Sequence, residues 1–462
     1  MAVRVGSISR LDDLQVLHKG SEFTLCRTEE GALHIPFAYA SAISRTVQPV
    51  KKGEIIPFKR VLRPTQIAPT MVMKLRLNSE GSALNAQGCG DGKTTQAFWI
   101  ISQFSPERTL IVTHRTDLAT QWQNEGKECT GLIVWRAEKP TEVCMAARIV
   151  VVMVHVMEQL PKQFLRSVDL LIVDECERIA SVVFGKSLLL CTPKRILGLT
   201  ATPGEINSNN VDPSVALLYG TKPILPGTRK PFKVVRILYP FKPVEKQHWY
   251  INKKGVRTLG PDWTALTSSI AFNHERNLYI ARLVKAFVDA DPNNKIFIFV
   301  KLANQVDCLK HIFTELKIEV EKVYRNKRPK CARVYIGTYS KGEAGFDEKI
   351  LEGFDGIRIN IVLLAADVID SRQAIGRGFR YEGLPLVLEI LDDNKYLREY
   401  HAQNRAKYYE ENGAVSIKTL KHDELDLGEE ILKIQPLVIE KKPAANKKAW
   451  TGWKGRGYTK KK

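Results

Sequence analysis

The stretch AQGCGDGKTT, residues 86–95, decides how the rest of the chain is read. Three glycines and a lysine this close together raise the question of whether the loop holds a phosphate. The pattern G-x-x-x-x-G-K-[ST] needs a glycine where the chain has Gln87, so it misses by one residue. A looser G-x-G-K-T is met by Gly90, Asp91, Gly92, Lys93 and Thr94, and Gly88 gives the backbone further freedom to curl its N–H groups toward an anion. Such a loop is weak on its own, and its surroundings must decide.

Outward from the loop, short apolar runs alternate with helical stretches. TLIVTH (109–114), RIVVVMVHV (148–156), DLLIVDE (169–175), RILGLTATP (195–203), KIFIFV (295–300), RVYIGTYS (333–340), RINIVLLA (358–365) and LPLVLEILD (384–392) read as buried strands. Near-continuous Val, Ile and Leu runs suit strands covered by helices on both faces. DLATQWQNEGKE (117–128), RNLYIARLVKAFVDA (276–290) and LANQVDCLKHIFTELK (302–317) carry a helical pattern. Strand alternating with helix predicts parallel α/β sheets. The alternation breaks in the middle, at a proline-rich stretch with basic pairs. The expected organisation is therefore an accessory region at 1–60, a nucleotide-binding domain at 61–215, a linker and lead-in at 216–265, a second α/β domain at 266–425, and a basic tail at 426–462.

The formal net charge is +20, which points to a polyanionic partner, most often nucleic acid. The eight cysteines form no C-x-x-C pair and have no histidine at ligand spacing, which argues against structural zinc and for a reducing, intracellular compartment. The start MAVRVGSISRLDD lacks the apolar core of a signal peptide, and no apolar run is long enough for a membrane span. The tail KKPAANKKAWTGWKGRGYTKKK (441–462) has nine Lys or Arg and no acid, with Trp450, Trp453 and Tyr458 interleaved. That composition favours a disordered arm on a nucleic-acid backbone, with a localisation signal or plain solvation as the alternative.

The strand DLLIVDE ends in Asp174 and Glu175, followed by Cys176 and Glu177. Beside a phosphate loop, one carboxylate at a strand end can organise Mg2+ and the next can handle an attacking water. Alone, the pair reads as well as a solvated acidic turn. LGLTATPGE (197–205) closes a strand with Thr200 and Thr202. In the second domain SRQAIGRGFR (371–380) carries Gln373, Arg377 and Arg380, and the two arginines share a face if the segment is helical. A planar cation facing a triphosphate stabilises the charge that builds up in phosphoryl transfer.

Taken in order, GDGKT, DEC, TAT and QAIGRGFR resemble the helicase motifs of superfamily 2, over roughly residues 61–410. The resemblance is strongest to the branch of XPB-like repair helicases, phage UvsW-type DNA helicases and poxvirus transcript-release helicases, and it suggests a large DNA virus as source. LRPTQ (62–66), IVTHRTDLATQW (111–122), DECERIASVVFGKSL (174–188), RVYIGTYSKGEAGFDEK (333–349) and RAKYYEENG (405–413) support it.

The resemblance implies two tandem RecA-like parallel-sheet domains with ATP and Mg2+ between them. It implies Gln66 on the adenine, Lys93 on the β/γ-phosphates, and Thr94 and Asp174 on Mg2+. Gly88, Gly90, Asp91, Gly92, Thr95 and Asp347 complete the expected nucleotide contacts. Glu175 would orient and deprotonate water, while Gln373, Arg377 and Arg380 would reach across from the second domain. Glu177, Thr200 and Thr202 would couple the nucleotide to domain movement. Thr113, His114, Arg115, Thr338 and Ser340 would line the nucleic-acid track.

Two positions depart from the pattern. Gln87 replaces a small residue, and Glu177 stands where His or Asp is usual, so an acceptor replaces a donor. The implied activity is an ATP-dependent helicase or translocase, on DNA rather than RNA and 3′ to 5′, with transcription or repair proteins as partners. An RNA helicase, an ATP-gated clamp that does not unwind, and a motor coupled to a separate nuclease chain are the alternatives. A host nucleus, host cytoplasm or virion location follows if the source is viral.

Overall fold

The computed structural model describes residues 2–3, 14–18, 21–29, 32–44, 47–88, 90–181, 184–204, 211–225, 229–251, 256–323, 329–342, 346–425 and 427. The expected basic tail therefore lies outside the described residues, apart from Leu427, and the accessory region is described only in part.

In the first domain helix α1 (Pro64–Ser79) opens on Pro64, whose fixed φ suits a first helical turn. Strand β1 (Ser82–Asn85) leads into the glycine-rich loop, and helix α2 (Lys93–Phe104) leaves it. There follow β2 (Thr109–Thr113), α3 (Thr116–Thr130), β3 (Trp135–Ala137), β4 (Ile149–Met153), β5 (Leu170–Asp174) and β6 (Arg195–Leu199). The six strands are parallel, in the order β1-β6-β5-β2-β4-β3. β2 and β6 are buried along their whole length, because apolar clusters lie on both sides of the sheet. Both faces are covered, as the unbroken Val/Ile/Leu runs require.

The second domain begins earlier than its first recognisable apolar run. β7 (Phe232–Tyr239), from the stretch expected to be linker and lead-in, is inserted into the second sheet. It escapes sequence reading because Lys233 and Arg236 interrupt the run. Within the sheet the Arg236 charge is met by Glu389, 3.1 Å away on the adjacent strand. A hairpin of β8 (Gln247–Ile251) and β9 (Arg257–Pro261) follows.

Next come α4 (Trp263–Ala271) and α5 (His274–Ala290), capped by Asp262 and Asn273 side chains that accept from free first-turn N–H groups. The remainder is β10 (Ile296–Val300), α6 (Ala303–Glu315), β11 (Val320–Val323), β12 (Val334–Thr338), β13 (Ile361–Leu364), β14 (Leu386–Asp392), α7 (Ala402–Glu411) and β15 (Ala414–Lys421). The sheet order is β11-β12-β10-β13-β14-β7-β15, again all parallel. The protein is thus two tandem RecA-like α/β domains. Among the described residues no helix is long and apolar enough to cross a membrane.

Candidate active site

The carboxyl ends of parallel strands gather the loops that bind ligands in open α/β sheets. The glycine-rich loop, the acidic end of β5, the Thr200 turn after β6 and the Gln373–Arg380 segment meet there, around a cleft of about 300 Å3. The sequence-predicted residues Gly90, Gly92, Lys93, Thr94, Thr95, Asp174, Glu175, Thr200, Asp347, Gln373, Arg377 and Arg380 all line it.

The loop is shaped by positive backbone angles at Gly90 (φ 84°) and Gly92 (φ 75°), which a side chain would strain. A Cβ on Gly92 would also fall on the Gln66 carboxamide. Gln66 is 3% exposed and braces the loop: its Nε2 donates to the Asp91 carbonyl (2.9 Å), and its Oε1 accepts from the Arg63 N–H (2.8 Å). Gln96 donates to the same Asp91 carbonyl at 3.1 Å, and Arg63 donates to Gly90 O at 3.0 Å. Lys93 Nζ donates to the carbonyls of Gln87 and Gly88, each at 2.9 Å. The ammonium is folded back onto its own loop. Burial pushes the Asp91 carboxyl up, against the pull of Lys93.

At the end of β5, Asp174 accepts from Trp122 Nε1 (2.9 Å) and from the Glu175 N–H (3.0 Å). Burial raises its pKa. Glu175 takes a left-handed backbone (φ 47°) that non-glycine residues seldom adopt, a strain found at functional sites. Its Oε2 lies 3.0 Å from Arg178 Nε and 3.3 Å from His114 Nε2, yet makes no well-aligned hydrogen bond. Burial first, and the neighbouring Glu177 second, push the Glu175 carboxyl up to about 7. Burial, helped by Arg178 and Arg115, pushes the His114 imidazole down to about 4, so it is neutral at pH 7. Burial also raises Glu177, against a hydrogen bond from Thr200. Thr200 Oγ1 in turn accepts from the Thr202 N–H at 2.8 Å, which ties these two threonines into one turn.

From the second domain, Arg377 and Arg380 do share a face: each donates from NH1 to the Phe346 carbonyl, at 2.6 and 2.8 Å. Arg377 lies in the turn between a short helix (Arg372–Ile375) and the 3-10 turn (Gly378–Arg380) that carries Arg380, so the two do not share one continuous helix. Asp347 lies 3.2 Å from Arg380 and accepts from Arg358 at 2.6 Å. Burial would raise its carboxyl, but Arg380 and Arg358 together hold it below the usual range.

Sequence reasoning missed Arg178. Its Nε faces Glu175 and its NH2 donates to Gln373 Oε1 at 2.9 Å, so one guanidinium links the acidic strand end to the second domain. Its place directly after DECE was the available signal. A second crossing joins Arg115 NH1 to the Ser340 carbonyl at 2.7 Å. Ser340 Oγ lies 3.2 Å from Thr338 Oγ1, so these three of the expected track residues do come together. Two others sit elsewhere. Thr113 is fully buried at the end of β2, and His114 faces Glu175, because the chain turns into α3 at Arg115.

The donor set suits a nucleotide with a divalent cation: a loop that admits no side chain at Gly92, a lysine that donates to carbonyls of its own loop, and a buried Glu175 oxygen without an aligned partner among the described residues. Among the described residues no group of three or more His, Cys, Asp or Glu could cage a metal. A hard cation here would be shared with a nucleotide, as Mg2+ commonly is.

Fold and site together describe a cleft between two RecA-like α/β domains whose lining suits a nucleotide. Residues 42–205 match the family described as the res subunit of type III restriction enzymes. The chain is 27% identical over 429 residues to a predicted helicase, 161L, of Invertebrate iridescent virus 6, covering 86% of this chain and 92% of that one. It is 23% identical over 377 residues to a predicted ATP-dependent RNA helicase of Acanthamoeba polyphaga mimivirus, covering 76% and 67%. Among solved structures, S. cerevisiae Dbp5 bound to RNA and ADP BeF3 matches with a TM-score of 0.50 and 12% identity, over 79% of this chain and 95% of that one. At that identity the likeness speaks for the fold alone. These viral relatives carry helicase in their names and belong to large DNA viruses.

Proposed function

We propose that the protein couples ATP hydrolysis to movement along DNA, in the 3′ to 5′ direction, during transcription, repair or recombination. The observation that carries this reading is the cleft itself, where Lys93, Thr94, Asp174 and Glu175 of one domain face Gln373, Arg377 and Arg380 of the other. Lys93 exchanges its loop carbonyls for the β/γ-phosphates, and loop N–H groups hold the remaining phosphate oxygens. Mg2+, held by Thr94 and Asp174, neutralises phosphate charge when bound. Glu175 accepts the proton of the attacking water, and a carboxyl poised near neutral pH suits a general base. Arg377 and Arg380 stabilise charge in the transition state, positioned by Phe346 O and Asp347. Hydrolysis then needs both domains closed, which links turnover to domain movement.

The polyanion is suggested by the net charge of +20 and the DNA preference by the motif resemblance. The mimivirus relative carries RNA helicase in its name, which keeps RNA as the second reading. ATP hydrolysis measured in parallel with no effector, single-stranded, duplex and forked DNA, and RNA separates the two. Stimulation by DNA alone supports the proposal, and stimulation by RNA alone replaces it. A strand-displacement assay beside it distinguishes unwinding from clamping.

A further inference from the structure

The second domain carries an exposed aromatic surface that the nucleotide cleft does not use. In the β8–β9 hairpin Trp249 pairs with Leu259 and Tyr250 with Thr258. Successive side chains on a strand point to opposite faces, and here both faces meet solvent: Trp249 is 53% exposed and Tyr250 46%. A lone two-stranded hairpin is marginal in water. This one is braced by the Arg257 guanidinium, 5.1 Å from the Trp249 ring centroid, and by the Tyr250 ring covering Gly260.

The aromatic surface continues at the base of the hairpin, where the Asp262 N–H donates to the Lys246 carbonyl at 2.7 Å. Trp263 stacks on His401 (5.2 Å, 20°) and meets Tyr396 edge-on at 6.3 Å. Tyr396 stacks in turn on Tyr400 (6.4 Å, 22°), which is 59% exposed. Tyr400 stands on a π-helical turn, Leu397–His401, a rare form that recurs at functional sites.

The charges around this surface are sorted. Lys242, Lys246 and Arg257 are exposed. Of the nearby acids, Glu245 accepts from Asn394 at 2.6 Å, Asp262 caps α4, and the half-exposed Glu399 faces Lys395 at 4.0 Å. Flat, solvent-facing rings among outward cations suit bases strung on a polyanion better than they suit an apolar protein groove. The hairpin also leaves the carboxyl end of β7, which runs parallel to the strands whose carboxyl ends face the cleft.

We infer that this hairpin and the aromatic row at its base bind unstacked bases of single-stranded nucleic acid, with Trp249 and Tyr400 as stacking platforms. The inference rests on the motor reading above and adds a site to it. DNA and RNA offer the same base faces, so the test carries both.

The full-length protein is titrated with oligodeoxythymidylate and with oligouridylate, following anisotropy of the oligonucleotide and intrinsic indole fluorescence. Trp249→Ala and Tyr400→Ala each weaken binding by roughly five- to 150-fold, the range for losing one base–aromatic stack. Trp249→Phe keeps most of the affinity, which shows that the hairpin is intact, but loses part of the fluorescence quenching seen with the natural residue. The oligonucleotide for which the losses occur identifies the ligand. If the unsubstituted protein binds while all three variants bind and quench equally well, the inference is overturned and the motor reading stands. If the unsubstituted protein binds neither oligonucleotide, the motor reading itself falls, and the inference with it.

Discussion

Both sheets bury carboxylates at or near the carboxyl ends of their strands, and they treat the charge in opposite ways. In the first domain Asp174, Glu175 and Glu177 are close together, all are raised by burial, and the Glu175 oxygen lacks an aligned partner. In the second domain Arg405 bonds Glu389 at 2.5 Å and Asp367 at 3.0 Å, Arg236 adds a second contact to Glu389, and Arg276 grips Asp392 through two bonds of 2.6 and 2.9 Å. Asp367 is held below the usual range: burial would raise it, but His401 and Arg405 outweigh that. Asp392 stays raised by burial despite Arg276. The first cluster is short of positive charge and fits a ligand that brings a cation. The second is largely neutralised from within and holds the sheet to α5 and α7.

Several experiments test this contrast. The largest effect is expected where the two domains complete each other: Lys93→Ala and Arg377→Ala should each lower stimulated ATP hydrolysis by about 10^3-fold or more, while thermal melting is little changed. Retained turnover in either variant would sink the shared-cleft reading. Next, Arg405→Ala should destabilise the second domain by about 2–3 kcal/mol, because Glu389 and Asp367 would lose the cation they share and keep Arg236 and His401 as partners, and denaturant unfolding measures this. Arg178→Ala removes a charged contact on each side of the cleft and should slow stimulated hydrolysis roughly tenfold to hundredfold, with a smaller change in nucleotide affinity.

The pH dependence of melting, without nucleotide, should have opposite signs for Glu175 of the first cluster and Asp367 of the second. Glu175 sits near 7 in the folded chain against an ordinary value of 4.5, so the folded state binds the extra proton and stability falls as pH rises through that interval. Glu175→Gln should therefore melt higher than the parent above pH 7, and the advantage should fade toward pH 4. Asp367 is depressed, so its contribution is present above its ordinary value of 3.8 and is lost as pH falls below that. Asp367→Asn should be less stable than the parent at neutral pH and converge with it in acid. Equal slopes in both variants would contradict the contrast. The smallest effect is expected for Glu177→His, a modest change in the ratio of strand displacement to hydrolysis, since a donor replaces the acceptor that now faces Thr200.

The core strands were legible because strands covered on both faces must be apolar throughout, and TLIVT and LLIVD are short, β-branched apolar runs of strand length. β7 was not, since Lys233 and Arg236 disguise a strand whose charge is met only by a neighbour distant in sequence. At the site, Lys93, Asp174, Glu175, Arg377 and Arg380 were legible because short contiguous motifs carry them, and the cleft brings them together. The link from Arg178 to Gln373, the neutral His114 beside Glu175 and the brace that Gln66 gives the loop were not legible. Each depends on which side chain meets another across the folded chain.

The two parallel sheets and the glycine-rich loop were written locally, because hydrophobic periodicity and backbone freedom at glycine are local properties. Which charges are neutralised and which are left waiting is settled by the folding of distant segments against one another. Burial and the approach of distant partners set the energy of a carboxylate, and neither is written at the carboxylate's own position.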